Sequence, residues 1–301
     1  MSSVAKISVP VEVRTTRYVV ITPVRDEEKF IERTIRSMVE QTIRPAEWVI
    51  VNDGSSDRTG EILDRFAREY EWIRVVHRQN RGFRKSGGGV VEAFNDGLRV
   101  MQAADWEFIV KLDGDLTFDP DYFERCFECF ERDPKLGIGG GTISSVQNGQ
   151  EQIEEVPHFH VRGATKIYKR VCWDGIGGLW VAPGWDTIDE VKANMLGWTT
   201  HSFPEISLHQ QRPTGTSESR WKDLVKCGRA RYVSGYHPLF MLSSCALRIF
   251  RRPFVWGSAG LMYGYLTGYI QRSPQVDDPR FIKYLRDQQM RRLLGRKSIW
   301  R

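Results

Sequence analysis

Asp113-Gly114-Asp115 closes the apolar run Phe108–Leu112. Two carboxylates flanking the smallest residue at the end of a buried strand are suited to holding a hard divalent cation, Mg²⁺ or Mn²⁺, against a diphosphate. The glycine lets a ligand approach the backbone. The same three residues also make an ordinary solvated turn. A second acidic and glycine cluster, Asn52-Asp53-Gly54-Ser55-Ser56-Asp57, closes the run Glu47–Val51. Other chemistries lack their residues. The chain has no G-x-x-x-x-G-K-[S/T] phosphate loop, no G-x-G-x-x-G after its first apolar run and no G-x-S-x-G elbow. Cys126-Phe127-Glu128-Cys129 is a single C-x-x-C without a second pair or a nearby His, so packing is the better reading than metal or redox work.

These clusters need strands to carry them. Tyr18–Thr22, Glu47–Val51, Ile73–Val76 and Trp106–Leu112 are short, β-branched, apolar runs that predict buried strands. Between them, Glu27–Gln41, Thr59–Tyr70 and Gly89–Ala103 repeat apolar residues at helical spacing, as does Tyr122–Arg132 beyond. Strands alternating with helices predict an α/β fold with a mainly parallel sheet flanked by helices on both faces. Ligands of such sheets bind beyond the carboxyl ends of the strands, where Asp53 and Asp113 to Asp115 fall. The alternation fades near residue 205. The expected organisation is a ligand-binding unit over 1–205 and a basic, aromatic, helical extension over 206–301.

Charge divides the chain at nearly the same place. Residues 209–301 hold 18 Lys and Arg against 5 Asp and Glu, and the remainder holds 26 against 33. A surplus of +13 in the C-terminal third implies anionic partners. Phe254–Ile270 carries no charge over 17 residues and is flanked by Arg251, Arg252 and Arg272. It is at the lower edge of a membrane span; its Gly and Tyr content points to a buried helical pair or a segment lying in the membrane interface. Residues 1–18 show no leader-like apolar segment, and five cysteines in 301 residues do not form a disulfide framework.

Val20-Ile-Thr-Pro-Val-Arg-Asp-Glu-Glu28, Trp48-Val-Ile-Val-Asn-Asp-Gly-Ser-Ser-Asp57 and Asp113-Gly-Asp115 together resemble the family 2 glycosyltransferases, inverting enzymes with the type A nucleotide-diphospho-sugar transferase fold. The resemblance implies roles for residues over 18–200. Pro23, Arg25 and Glu27 match the loop that holds the nucleoside, with Arg25 standing where the family often has Tyr. Asp53 matches the carboxylate that accepts the imide N–H of the base. Arg81, Arg84 and Lys85 lie where the family has basic residues that neutralise the diphosphate, and a solvated loop explains them as well. Asp113 and Asp115 match the metal motif, Asp115 as direct ligand and Asp113 on ribose or a metal-bound water. Gly184-Trp185-Asp186-Thr187-Ile188-Asp189-Glu190 resembles the acidic helix start that carries the general base, usually Glu-Asp. Asp186 is the first candidate and Asp189 the second; both also suit helix N-capping. His209 matches a His that completes the metal shell in some relatives, or is a structural His. Trp180, Trp185 and Trp198 are candidates for a sugar platform or for core. Gln210-Gln211-Arg212 lacks the Trp that comes next in the Q-x-x-R-W motif of processive synthases, so processivity is not expected.

The resemblance thus implies transfer of a sugar from a nucleotide-diphosphate sugar, UDP favoured, to a hydroxyl of a glycan or polyprenyl-diphosphate-linked acceptor, in surface polysaccharide synthesis. The expected place is cytoplasmic, peripheral on the inner face of the cell membrane at an anionic surface, with no nucleic acid involved. The alternatives are a nucleotidyltransferase on the same sheet and a non-catalytic nucleotide-sugar-binding partner protein.

Overall fold

The computed structural model describes residues 16–83, 87–147, 150–154, 156–212, 220–249 and 254–300. Arg84 and Lys85 lie outside the described residues, as do 251 and 252. Four parallel strands, β1 (Tyr18–Val24), β2 (Glu47–Asn52), β3 (Ile73–His77) and β4 (Phe108–Leu112), stand in the order β3-β2-β1-β4. β1, β2 and β4 read as apolar runs because both their faces are covered, while β3, at the sheet edge, is only partly buried. Val20, Val24, Ile50, Val110 and Leu112 pack under α1 (Ile31–Val39), α2 (Thr59–Glu69) and α4 (Tyr122–Arg132). The alternate residues Val19, Ile21, Val49, Val51 and Ile109 pack under α3 (Gly88–Val100) and α5 (Arg170–Ile176). Pro23, which cannot donate to a ladder, sits past the last β1 residue paired to β4, where only β2 runs alongside. Cys126 is buried in the α4 core, where burial pushes its thiol far up, and Cys129 flanks it. That pair is packing.

The sheet continues through strands of mixed direction. β8 (Thr165–Lys169) runs antiparallel to β4, and β6 (Leu136–Gln147) antiparallel to β8. β9 (Thr199–Gln210) runs parallel to β6, and the short β5 (Leu116–Phe118) antiparallel to β9. β7 (Gln150–Ile153) folds back on β6. The mainly parallel mixed sheet predicted from the sequence is the one observed. The boundary expected at 205 falls inside β9, so residues up to Gln210 belong to the sheet.

The extension is helical, as the pattern predicts: α7 (Arg220–Val233), α8 (Pro238–Arg248), α9 (Phe254–Ile270) and α10 (Pro279–Leu293). These helices share a core with α6 (Trp185–Met195). Ile188 and Val191 of α6 pack with Val233, Met241, Leu261 and Phe281. The acidic helix start is therefore clasped between the sheet and the extension. None of the helices is long and apolar enough to cross a membrane among the described residues.

Candidate active site

The carboxyl ends of β1 and β2 carry two loops laced together. Asp26, at a positive φ of 55°, accepts from the Ser56 N–H at 2.8 Å, and Asp57 accepts from the N–H of Glu28 and of Thr59, each at 3.0 Å. Arg25 donates to the Asp53 carbonyl at 3.1 Å and to Asn80 at 3.0 Å. The two oxygens of Asp53 accept from Arg78 at 2.5 Å and Arg81 at 2.6 Å. Arg81, expected on the diphosphate, is instead a clamp on Asp53, and Glu92 also lies 3.6 Å from it. Each Asp53 oxygen keeps a second lone-pair direction, and the two guanidinium groups fix where it points. Glu27 is buried, and its carboxylate accepts from Arg212 at 2.5 Å. It ties the first loop to the end of β9.

Asp113 and Asp115 flank the turn from β4 into β5. Gly114 faces inward: a Cβ there would lie 2.5 Å from Cγ1 of Val24 and 3.2 Å from Cδ1 of Ile31. Core packing, and not ligand approach, excludes a side chain at 114. Asp113 is held by the Lys111 ammonium, which also donates to the Gly163 carbonyl at 2.5 Å. Asp115 is 6% exposed, and Gln210 donates to its carboxylate at 3.3 Å. Burial first, then the Asp113 charge, raises its pKa against the pull of Gln210, Arg212 and Lys111. A buried carboxylate crowded by a second, partly exposed one is a donor set that a divalent cation would relieve. A cation such as Mg²⁺ needs only one or two carboxylates when phosphates complete its shell. No group of three or more His, Cys, Asp and Glu is close enough to hold a metal among the described residues. His209 is therefore not gathered with the aspartates. It lies opposite Thr117 and Ser144, and strand alternation turns it to the other face from Gln210, which reaches Asp115.

The third component is the start of α6. Gly163 lets it come close: a Cβ there would lie 2.9 Å from the Trp185 ring and 3.3 Å from Cβ of Asp186. Trp185 is 7% exposed, and two ammonium groups, Lys111 and Lys166, each lie 5.5 Å from its ring. Lys111 thus reaches both Asp113 and the Trp185-Asp186 dipeptide. Lys166 is fully buried. It donates to the Asp186 carbonyl, to both Asp189 oxygens at 2.9 and 3.0 Å, and approaches Glu190 at 2.8 Å. Tyr168 donates to Asp189 at 2.5 Å, and His160 and the Val161 N–H bond Glu190. Burial disfavours the Lys166 cation, but the charges of Asp189, Glu190 and Asp186 raise its pKa overall.

Asp186 and Asp189 consequently differ. Asp189 has a side chain with no exposure, and its oxygens are occupied by Lys166, Tyr168 and the Glu190 N–H. A general base must reach the proton that it removes, and this carboxylate faces the protein. Asp186 is half-buried and lines two cavities, of about 750 and about 290 Å³. Trp180 lines the larger cavity, while Trp185 and Trp198 pack in or against the core beneath α3 and α5.

Lys111 and Lys166 are the residues that sequence reasoning missed. Their signal was a lysine in the middle of a buried strand, Phe108-Ile-Val-Lys-Leu112 and Thr165-Lys-Ile-Tyr-Lys169. A buried ammonium requires acidic partners nearby. Gln210 and Arg212, which fall short of a processivity motif, close over Asp115 and Glu27.

Residues 19–180 match the family model described as glycosyl transferase family 2, just over half of the chain. The chain belongs to glycosyl transferase family 2. Among curated family relatives, the uncharacterized glycosyltransferase EpsJ of Bacillus subtilis is 35% identical over 122 residues, 40% of this chain and 33% of EpsJ. The poly-beta-1,6-N-acetyl-D-glucosamine synthase of Staphylococcus epidermidis is 28% identical over 241 residues, 72% of this chain and 53% of the synthase. The chain thus spans about half or less of the length of these relatives. Among solved structures, the mannosyltransferase PcManGT from Pyrobaculum calidifontis, in complex with GDP-Man and Mn²⁺, superposes with a TM-score of 0.60 at 15% identity, covering 87% of this chain and 89% of that one. S. aureus TarS 1-349 in complex with UDP-GlcNAc gives 0.52 at 15% identity, covering 90% and 80%. These likenesses show that the family 2 chain has the type A glycosyltransferase fold.

Proposed function

We propose that this family 2 chain transfers a sugar from a nucleotide-diphosphate sugar to an acceptor hydroxyl, with inversion at the anomeric carbon. The observation that carries the reading is the joining of the Asp113–Asp115 turn to Asp186 through Lys111, Gly163 and Trp185. A donor-side carboxylate pair is tied in this way to one accessible carboxylate, which lines a cavity. Pro23, Arg25, Glu27 and the clamped Asp53 would hold the nucleoside; a fixed carboxylate suits the imide N–H of uracil, so UDP is the favoured donor. Asp115, with Asp113, would hold Mg²⁺ or Mn²⁺. When bound, that ion offsets the charge that develops on the departing diphosphate. Asp186 takes the acceptor proton as the hydroxyl oxygen bonds the anomeric carbon and the bond to the diphosphate oxygen breaks. Asp186 is the one carboxylate among the described residues that line the cavity, which fits a base in a single displacement. A role in surface polysaccharide synthesis is supported by the kinship with the poly-beta-1,6-N-acetyl-D-glucosamine synthase.

A peripheral position on the inner face of the cell membrane fits the extension. α8 and α9 expose Leu242, Leu247, Val255, Trp256, Tyr263 and Ile270, Trp256 at 71% and Ile270 at 79%. The same third of the chain carries the +13 surplus.

The test is product release from a panel of nucleotide sugars with Mn²⁺. Nucleoside diphosphate is the expected product, and Asp186→Asn should lower kcat by about 10²- to 10⁴-fold, the usual worth of a general base. Pyrophosphate release from a nucleoside triphosphate and a sugar 1-phosphate, supplied in a parallel assay, would make the chain a nucleotidyltransferase. Absence of any turnover or donor hydrolysis would leave a non-catalytic nucleotide-sugar-binding protein.

A further inference from the structure

His160 shares the smaller cavity with Asp186. Asp186 and Glu190 stand one turn apart on the same face of α6. Glu190 has no side-chain exposure, and each of its oxygens is taken. Oε2 meets His160 Nδ1 at 2.8 Å; Oε1 accepts from the Val161 N–H at 2.7 Å and lies 2.8 Å from the Lys166 ammonium. The side chain of His160 and the backbone of Val161 thus grip one carboxylate. The His160 side chain is 13% exposed, and its Nε2 has no hydrogen-bond partner among the described residues.

Charge balance sets the form of this ring. Asp189 and Glu190 are both fully buried, yet they share a single ammonium, that of Lys166. Buried charges need partners. The second cation within reach is His160 protonated on both nitrogens. Burial opposes that form, but the charge and hydrogen bond of Glu190, with the charge of Asp186, raise the His160 pKa overall against Lys166. The surrounding groups change charge elsewhere. Burial lifts Asp189 to about 6, on the acid side of the raised His160 value. Arg231 of α7 is a permanent cation 5.8 Å from the Tyr236 ring, and burial raises the pKa of both Cys227 and Tyr236, which line the same cavity. On the segment that carries His160, Arg162 pairs with Glu154 at 2.8 Å, and His158 lies against His201 with ring centres 5.4 Å apart.

We infer that His160 is a positioning residue for Asp186: an imidazolium pinned by Glu190, it closes the charge network at the start of α6 and keeps Asp186 ionised at the cavity. The inference rests on the transfer reading, in which Asp186 is the base. The hold is full below the ordinary imidazole range and is lost as pH rises through the raised His160 value. Beyond it, Lys166 alone faces two buried carboxylates.

The experiment joins an NMR titration of the imidazoles to kcat measured against pH, both on the full chain. His160→Gln identifies the His160 signal among the six histidines and leaves a neutral amide in its place. In the parent, the His160 ring should titrate above the ordinary imidazole value, and Asp186→Asn should lower that titration. The parent's kcat should decline along the same alkaline limb. His160→Gln should lower kcat at neutral pH at least threefold, remove the limb and leave the donor KM within twofold; a histidine needed only for folding would give no matching limb. Should His160→Gln fail to fold, its signal is identified by elimination from variants of the other five histidines, and the titrations of the parent and of Asp186→Asn decide. Three results would overturn the inference: a His160 ring that titrates at or below the ordinary value, a titration unmoved by Asp186→Asn, or a His160→Gln protein that keeps both the limb and a kcat within twofold of the parent. The titration is read without turnover, so the two readings fail separately. Unchanged nucleoside diphosphate release by Asp186→Asn defeats the transfer reading and leaves the titration standing.

Discussion

At the scale of residues, the site is a set of charges placed where water is scarce. Asp115 illustrates the consequence. Its folded-state pKa is raised, so the native state binds the Asp115 proton more tightly than the unfolded chain does. Ionising it therefore costs native stability, and that cost appears as pH rises from the ordinary carboxylate range through the raised value. Asp115→Asn removes the cost. Without metal at pH 7 it should melt above the parent protein in a thermal-shift assay. The parent should gain about 2.7 kcal/mol when Mn²⁺ reaches a hundred times its Kd, and the Asn variant should gain much less. A parent that melts at one temperature with and without Mn²⁺ and nucleotide would remove the metal assignment. Lys166 gives the second prediction. Truncation to Met would leave Asp189 and Glu190 as buried carboxylates without their ammonium and should cost about 3–5 kcal/mol in urea unfolding. Tyr168→Phe removes one of several donors to Asp189 and should cost about 1–3 kcal/mol. Its kcat should fall while KM holds, if the network orients Asp186.

At the scale of elements, α6 has two jobs that compete for the same residues. Its first turn presents Asp186, and its other faces bury Asp189 and Glu190 against β8 and Ile188 and Val191 against the extension. The helix therefore cannot shift without breaking one of these contacts, so Asp186 is held in place. The extension is locked in turn by the crossing of α7 and α9. A Cβ at Gly228 or at Gly264 would lie 2.0 Å from a carbonyl oxygen of the facing helix, Leu261 or Val225. Gly264→Leu should force the helices apart at a cost of several kcal/mol, about the upper range for overpacking. The check is limited proteolysis: cleavage within 220–270 should accelerate while the sheet core stays protected. The same crossing accounts for one apolar face of α9: it meets α7 closely, with Trp256 and Tyr263 against Trp221 at its rim, while Ile270 stands exposed at the end of the helix.

At the scale of the whole molecule, charge and apolar exposure coincide in one third of the chain. A basic surface adds about 1 kcal/mol per Lys or Arg near anionic lipid, and exposed aromatic residues insert at the headgroup level. Flotation with vesicles containing anionic lipid should exceed flotation with neutral vesicles, and the difference should shrink as salt rises. Trp256→Ser/Ile270→Ser should reduce both. Equal flotation with neutral and anionic vesicles at moderate salt would count against a charge-guided membrane position.

Local pattern sufficed for the parallel half of the fold and for the carboxylates at its strand ends. Tyr18–Val24, Glu47–Asn52 and Phe108–Leu112 are buried on both faces, so their composition alone marks them as strands. The residues at their carboxyl ends must then lie at the sheet's ligand-binding edge. β6 and β9 escaped that reading because glycines and scattered polar residues break their pattern, and their pairing partners are far away in the chain. Which acidic residue is open to an acceptor was equally out of reach. Asp186 and Asp189 are three positions apart on one helix and look interchangeable in a string of letters. Lys166, from a different strand, takes Asp189 into the protein and leaves Asp186 at the cavity. Long-range burial and charge pairing make that distinction, so only the tertiary structure decided it, together with the turning of His209 away from Asp115 and the meeting of α7 with the mouth of the site.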